Sequence, residues 1–199
     1  MAKLILIRHG ESVWNAANRF TGWTDVDLSE VGVSEAEEAG RRLSSQRIDV
    51  VHTSNLIRAQ RTAEIIMSMN DVSDGFTTKF DWRLNERNYG SLQGLNKAET
   101  AEKFGAEQVH IWRRSFDVAP PDGESLEMTA ERTIPYFEEE IMPDLQAAKG
   151  VLVSAHGNSL RSIVMHIEEV SPEDIVSLEI QTGSPLFYEF AKGEISRTD

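Results

Sequence analysis

Two histidines in this chain of 199 residues occupy the same local context. Ile5-Leu6-Ile7 runs into Arg8-His9-Gly10-Glu11-Ser12, and Val151-Leu152-Val153 runs into Ser154-Ala155-His156-Gly157-Asn158-Ser159. Each His-Gly pair follows a short, continuous apolar run, the pattern of a strand buried on both faces. If those strands lie side by side, the imidazoles meet at the carboxyl edge of a sheet. Imidazole nitrogen is a good nucleophile toward phosphorus and titrates near neutrality. The glycine after each histidine removes a Cβ, so a phosphate can approach the backbone amides of the turn. A helix starting near Asn158 adds its positive end, and Arg8 offers a two-pronged phosphate clamp. A lone histidine after a strand ordinarily packs or faces solvent; two in matched contexts point to phosphoryl chemistry.

A third strand end, His52-Thr53-Ser54, leads into Asn55-Leu56-Ile57-Arg58-Ala59-Gln60-Arg61. Leu56, Ala59 and Ala63 mark the buried stripe of the following helix, which lets Arg58 point toward the strand ends. The alternative is a solvated helix-face arginine, a role that suits Arg61 better. Glu86 lies in Arg83-Leu84-Asn85-Glu86-Arg87-Asn88-Tyr89-Gly90, a stretch with little periodicity. Transfer of a phosphoryl group to or from a hydroxyl needs a proton donor and acceptor, and a carboxyl with a raised pKa can serve as both. On its own Glu86 is one of 33 acidic residues, most of which belong at the surface.

These residues must be held by strands that alternate with helices. Apolar runs at 4–7, 48–53, 151–153 and 186–190 read as strands, the last closing the chain. Stripes at Val33, Ala36, Gly40, Leu43 and at Leu160, Ile163, Val164, Ile167 read as helices, the first capped by Ser29. Further helices are expected near 96–104 and 106–115, and over 124–145 with a kink or break at Pro135 and Pro143. The pattern predicts an α/β fold: one three-layer domain over 1–199, with a mainly parallel central sheet and helices on both faces. Ligands in such sheets sit beyond the carboxyl ends of the strands.

Composition narrows the function. The net charge is −13, with 12 basic and 14 acidic residues in 1–100 against 8 and 19 in 101–199. Such a balance argues against a nucleic-acid partner, because phosphate backbones need a basic footprint. No apolar run nears the roughly 20 residues that span a bilayer, so no membrane partner is expected. With no cysteine, disulfides and thiolate chemistry are excluded, which fits the cytoplasm. His52, His110 and His166 need no functional role, and the four tryptophans suit packing or a cleft wall better than base stacking.

The chain resembles the histidine phosphatase superfamily, and within it the 2,3-bisphosphoglycerate-dependent phosphoglycerate mutases. Arg8-His9-Gly10-Glu11-Ser12 and His156-Gly157 carry the superfamily likeness. The narrower likeness rests on Phe20-Thr21-Gly22-Trp23-Thr24-Asp25, Leu84-Asn85-Glu86-Arg87-Asn88-Tyr89-Gly90, Leu92-Gln93-Gly94-Leu95-Asn96-Lys97, Trp112-Arg113-Arg114 and Asn158-Ser159-Leu160-Arg161. The resemblance implies a glycolytic and gluconeogenic isomerase that interconverts 2- and 3-phosphoglycerate. His9 would carry the phosphoryl group, Glu86 would be proton donor and acceptor, and His156, Arg8 and Arg58 would hold the transferring group. Asn15 and the backbone at Gly157 would assist. Ser12, Arg19, Thr21, Gly22, Tyr89, Lys97, Arg113, Arg114 and Asn158 would bind the substrate's carboxylate and second phosphate. The implied primer is 2,3-bisphosphoglycerate, without a metal, and the implied partners are a phosphoglycerate and a second copy of the chain in a homodimer.

Two departures from the family pattern carry expectations. Only Asp122-Gly123 separates Pro120-Pro121 from Glu124, where many relatives carry an insertion; subunit contacts are expected to differ. The sequence as given ends at Asp199, where relatives continue into a mobile tail over the site, so water exclusion is expected to need another loop or to be weaker. The same scaffold also supports a phosphomonoesterase, the alternative reading. A non-catalytic scaffold would be expected to lack one of His9, Glu86 and His156, and all three are present.

Overall fold

In the computed structural model, which describes residues 1–198, six strands form one sheet in the order β3-β2-β4-β1-β5-β6. The strands are β1 (Ala2–Arg8), β2 (Val50–Thr53), β3 (Thr77–Phe80), β4 (Val151–Ala155), β5 (Pro185–Ala191) and β6 (Glu194–Arg197). β3, β2, β4 and β1 are mutually parallel; β5 runs antiparallel to β1, and β6 antiparallel to β5, so the sheet is mixed and mostly parallel. β5 is therefore not the closing strand, as its sequence suggested; Glu194–Arg197 pairs against it.

The central strands read as unbroken apolar runs because alternate residues serve two cores. Leu4, Leu6, Val151 and Val153 pack on one face against α6 (Leu126–Tyr136), a π turn (Phe137–Ile141), α7 (Met142–Gln146) and α8 (Gly157–Ile167). Ile5, Ile7, Leu152 and Val51 pack on the other face against α2 (Glu30–Leu43) and α3 (Ile57–Ser68). Truncating one of these fully buried side chains to alanine costs about 2–5 kcal/mol. The single domain thus has the expected three layers.

Local signals set the element ends. The Ser29 hydroxyl accepts the Gly32 amide and starts α2. The expected helix over 124–145 is divided: Pro135 lacks the amide its turn needs, and the π turn follows directly before α7. The two helices expected near residue 100 are α4 (Lys97–Phe104) and α5 (Ala106–Arg114), separated by Gly105. A short α1 (Val13–Ala16) follows β1, and α9 (Pro172–Ile175) precedes an irregular segment leading to β5.

Candidate active site

The β1–β4 register pairs Leu4 with Val151 and Arg8 with Ala155, and the His9 amide donates to the Ala155 carbonyl at 3.0 Å. His9 and His156 therefore leave adjacent parallel strands at the same level and on the same face. Their ring centroids are 4.9 Å apart in an edge-on arrangement. His9 Nδ1 lies 2.6 Å from the Gly10 carbonyl, which can only accept, so the ring proton is on Nδ1 and the Nε2 lone pair is free. Gly10 is required here, since a Cβ would stand 2.2 Å from the Gly32 carbonyl oxygen.

Arg58 faces that lone pair. It is buried on α3, with Nε 3.3 Å from His9 Nε2, and its Nη atoms donate to the Thr24 and Gly22 carbonyls at 3.0 and 2.8 Å. Gly22 supplies its carbonyl from a left-handed turn (φ 54°), where a Cβ would strike Gln93 Oε1 at 2.0 Å. Burial pushes Arg58 down to about 10, against the opposing pull of Glu86 and Asp25. Burial, then the charges of Arg58 and Arg8, hold His9 well below the usual histidine range. His156 is held down by burial and by Arg58, His9 and Arg8 in turn. Both imidazoles are neutral at physiological pH. Arg61, one turn from Arg58, instead pairs with Asp27 at the surface.

Glu86 is held one-sidedly. Its Oε1 accepts the Arg87 amide at 2.8 Å and both the backbone amide and the side-chain amide of Asn158 at 3.0 Å. Oε2 faces the space above Gly157, where an ideal Cβ would lie 3.7 Å from both Glu86 Oε2 and the Arg8 guanidinium carbon. The sequence suggested a raised carboxyl pKa, and the structure corrects this. Burial does push Glu86 up, but the Arg87 amide, Arg8, Asn158 and Arg58 outweigh it and hold the group below the usual carboxylate range. Glu86 is an ionised base when these cations have no other anion to serve.

The groups converge on a cleft of about 160 Å³, small for a drug-sized ligand and suited to a compact metabolite. Of the residues singled out from sequence, Arg8, His9, Asn15, Arg19, Thr21, Gly22, Arg58, Glu86, Tyr89, Lys97, Arg113, Arg114, Gly157 and Asn158 line it. His156 lies fully buried behind His9, with Nε2 2.7 Å from the Ser54 hydroxyl. Ser12 also sits behind the surface: its hydroxyl accepts the Asn15 amide and donates to Asn15 Oδ1 at 2.9 Å, fixing the side chain that does reach the cleft. Thr21 Oγ1 and Arg8 Nε are buried without a hydrogen-bond partner among the described residues.

The sequence reading assigned no role to Arg161, Phe20 or Glu179, which also line the cleft. Arg161 Nη1 donates to Asn158 Oδ1 at 3.1 Å, turning the Asn158 amide nitrogen toward Glu86. Seven cationic side chains thus surround one cleft in a chain of net charge −13. The arrangement concentrates positive potential where a multiply charged anion would sit. Burial pushes Tyr89 up, but the Arg87 charge together with hydrogen bonds from Arg87 and Asn158 outweighs it and holds the group below its usual value. Among the described residues, no group of three or more His, Cys, Asp or Glu is placed to hold a metal ion, and no helix is long and apolar enough to cross a membrane.

The model of the histidine phosphatase superfamily, branch 1, matches residues 4–197. The chain belongs to this superfamily. It is 49% identical over 220 aligned positions to a 2,3-bisphosphoglycerate-dependent phosphoglycerate mutase of Protochlamydia amoebophila, covering 98% of this chain and 97% of that one. A protein of the same name from Parvibaculum lavamentivorans is 50% identical over 199 positions, covering 98% and 94%. The first alignment is longer than this chain and must open gaps in it; the second is not, so the compact form also occurs among proteins bearing that name. Among solved structures, YhfR of Bacillus stearothermophilus superimposes with a TM-score of 0.86 at 26% identity, covering 99% of this chain and 95% of that one. A mycobacterial glucosyl-3-phosphoglycerate phosphatase, at 24% identity and a TM-score of 0.85 over 98% and 96% of the two chains, shares the fold.

Proposed function

We propose that this superfamily member is a 2,3-bisphosphoglycerate-dependent phosphoglycerate mutase, an isomerase that interconverts 3- and 2-phosphoglycerate through phospho-His9. The observation that carries the reading is the His9 tautomer: Nδ1 is committed to the Gly10 carbonyl, so Nε2 is an unprotonated nucleophile beside the Arg58 guanidinium. The near-half identity to proteins of that name over almost the whole chain supports the choice of substrate.

In this reading 2,3-bisphosphoglycerate primes the enzyme. Binding of this anion draws a proton from solvent onto Glu86; His9 Nε2 attacks one phosphorus, the P–O bond breaks, and the departing oxygen takes that proton from the Glu86 carboxyl. In the next step a phosphoglycerate hydroxyl attacks phospho-His9, the P–N bond breaks, and Glu86 Oε2 takes the hydroxyl proton. Arg8, Arg58 and the His156 ring stabilise the phosphoryl group in flight, and this charge stabilisation is most of what such a step demands. Arrival of that anion occupies Arg8 and Arg58, withdraws their hold on Glu86 and raises its proton affinity. Arg19, Lys97, Arg113, Arg114, Tyr89, Thr21 and the Asn15 and Asn158 side chains bind the carboxylate and second phosphate, with Ser12 acting through Asn15. No step calls for a metal.

The compartment that suits this chemistry is the cytoplasm. A homodimer is proposed through the free edge of β3, where Phe76, Phe80 and Trp82 are 39%, 57% and 48% exposed.

An enolase-coupled assay with and without 2,3-bisphosphoglycerate tests the function. Strong dependence on the primer, with little phosphate released, is expected. Rapid phosphate release that ignores the primer would replace the reading by a phosphomonoesterase.

A further inference from the structure

Glu179 is a carboxylate in a cleft otherwise built for anions. It stands on the irregular segment 176–183, where the carbonyls of Val176, Leu178 and Ile180 are directed at the site's arginines. The Val176 carbonyl accepts from Arg114 Nη1 at 3.5 Å, Leu178 from Arg161 Nε at 2.7 Å, and Ile180 from Arg8 Nη1 at 2.9 Å. The far end of the segment is fastened to the phosphate-carrier loop. The Gly183 amide donates to the Arg8 carbonyl at 3.0 Å, and the Thr182 hydroxyl donates to Glu35 Oε1 at 2.9 Å, while Glu35 Oε2 accepts the Glu11 amide at 2.7 Å. The backbone is therefore fixed from both sides.

The Glu179 side chain is not. It is 62% exposed, its Oε1 accepts a short hydrogen bond from Arg114 Nη2, and its Oε2 lies 3.7 Å from Arg161 Nη2. An exposed pair of this kind holds weakly, because water and salt screen it. Arg114 and Arg161 are part of the cleft lining, so the pair occupies donors that a ligand needs.

We propose that Glu179 is a resident counter-anion: it holds Arg114 in the absence of ligand and yields it to the ligand's remote anionic group. The inference rests on the reading of the cleft as a phosphoglycerate site and adds to it a residue that sets specificity. Exchanging one carboxylate for another monoanion gains little, whereas exchanging it for a phosphate dianion adds a full charge on the same guanidinium. Glu179 thereby sets a displacement cost that a remote phosphate dianion outweighs, whereas a ligand such as glycerate, without a remote anion, leaves the pair in place.

Glu179→Gln removes the competing charge and retains the side-chain size, and its exposure leaves the fold intact, which a melting curve verifies. The KM for 3-phosphoglycerate is expected to fall about threefold to fivefold, the scale of one exposed ion pair, and kcat to fall with it as the product anion is held longer. The inhibition constant of inorganic sulfate should fall as well, whereas that of glycerate, which has no second anionic group to take over Arg114, should change less than the KM. An unchanged or raised KM, or a glycerate constant that falls as far as the KM, overturns the proposal. These constants are read relative to the unsubstituted enzyme, so a wild-type chain that fails to turn over phosphoglycerate rejects the function itself, whereas an active wild type with an unresponsive Glu179→Gln rejects only the counter-anion.

Discussion

The Nε atom of Arg58 stands 3.3 Å from Nε2 of His9. A permanent cation facing the His9 Nε2 lone pair makes protonation of that nitrogen costly, and it presents a donor to any phosphoryl oxygen arriving there. Together with burial this keeps His9 neutral well below pH 6.5.

Removing that cation should show in the pH profile. In Arg58→Gln the His9 pKa rises, so the acid limb of kcat/KM moves to higher pH. Transfer falls about 100-fold at its optimum through loss of charge stabilisation. A pH-rate series, with the His9 ring followed by NMR, checks both; an unmoved limb would refute the electrostatic role.

Gly157 offers a steric test. A Cβ there meets only ordinary contacts at 3.7 Å, so Gly157→Ala should fold and melt normally. The methyl group nevertheless enters the gap between Arg8 and Glu86 Oε2, which the proposed transfer uses for the phosphoryl group. Activity is expected to fall at least tenfold, on the scale of a small misplacement of reacting groups. Full activity would place the transfer elsewhere.

Arg161 is expected to act through Asn158. With Arg161→Leu the Asn158 amide loses the donor that orients it, and Glu86 Oε1 loses a secured hydrogen bond. Glu86 then shifts toward higher pKa, so the limb of the kcat profile assigned to it moves up in pH, and kcat drops about tenfold or more. A change in KM alone, with an unmoved profile, would reduce Arg161 to substrate binding.

Away from the cleft, His52 couples stability to pH. It is fully buried between the Tyr136 hydroxyl at 2.8 Å and Asp144 at 3.1 Å. Burial, with the charge of Lys79, lowers it to about 4 in spite of Asp144. The unfolded chain binds a proton near pH 6.5 and the folded one does not, so stability is whole above 6.5 and drains away as pH falls toward 4. The loss amounts to about 3 kcal/mol. Denaturant melts of the wild type and His52→Asn across this window should differ in slope; parallel curves would discard the assignment.

Much of the site was legible because it hangs on buried strands. His9 follows Leu4 at the same offset as His156 follows Val151, and Leu4 and Val151 are register partners. Two matched apolar runs were therefore enough to bring the rings together. Arg58 was placed by the small-residue stripe beside it. The edge strands were missed because Thr77–Phe80 and Glu194–Arg197 are half-exposed and carry one apolar residue each, which leaves no period to read. Arg161 and Glu179 escaped for a related reason. On α8, Arg161 looks like the polar side of an amphipathic helix, and only the non-periodic segment 176–183 turns it into the cleft. The direction of the Glu86 shift depends on four donors and cations drawn from four parts of the chain, and no local pattern announces such a sum.

β4 lies between β1 and β2, although it follows β1 by most of the chain's length and β2 by about half of it. Until residues 151–155 have been synthesised, the sheet lacks a middle strand, His9 has no Ala155 carbonyl to bind and His156 does not exist. A growing chain on the ribosome thus carries the Arg8-His9-Gly10 loop early but cannot use it. Competence to accept phosphate therefore depends on β4, from the last quarter of the chain, filling the gap between β1 and β2.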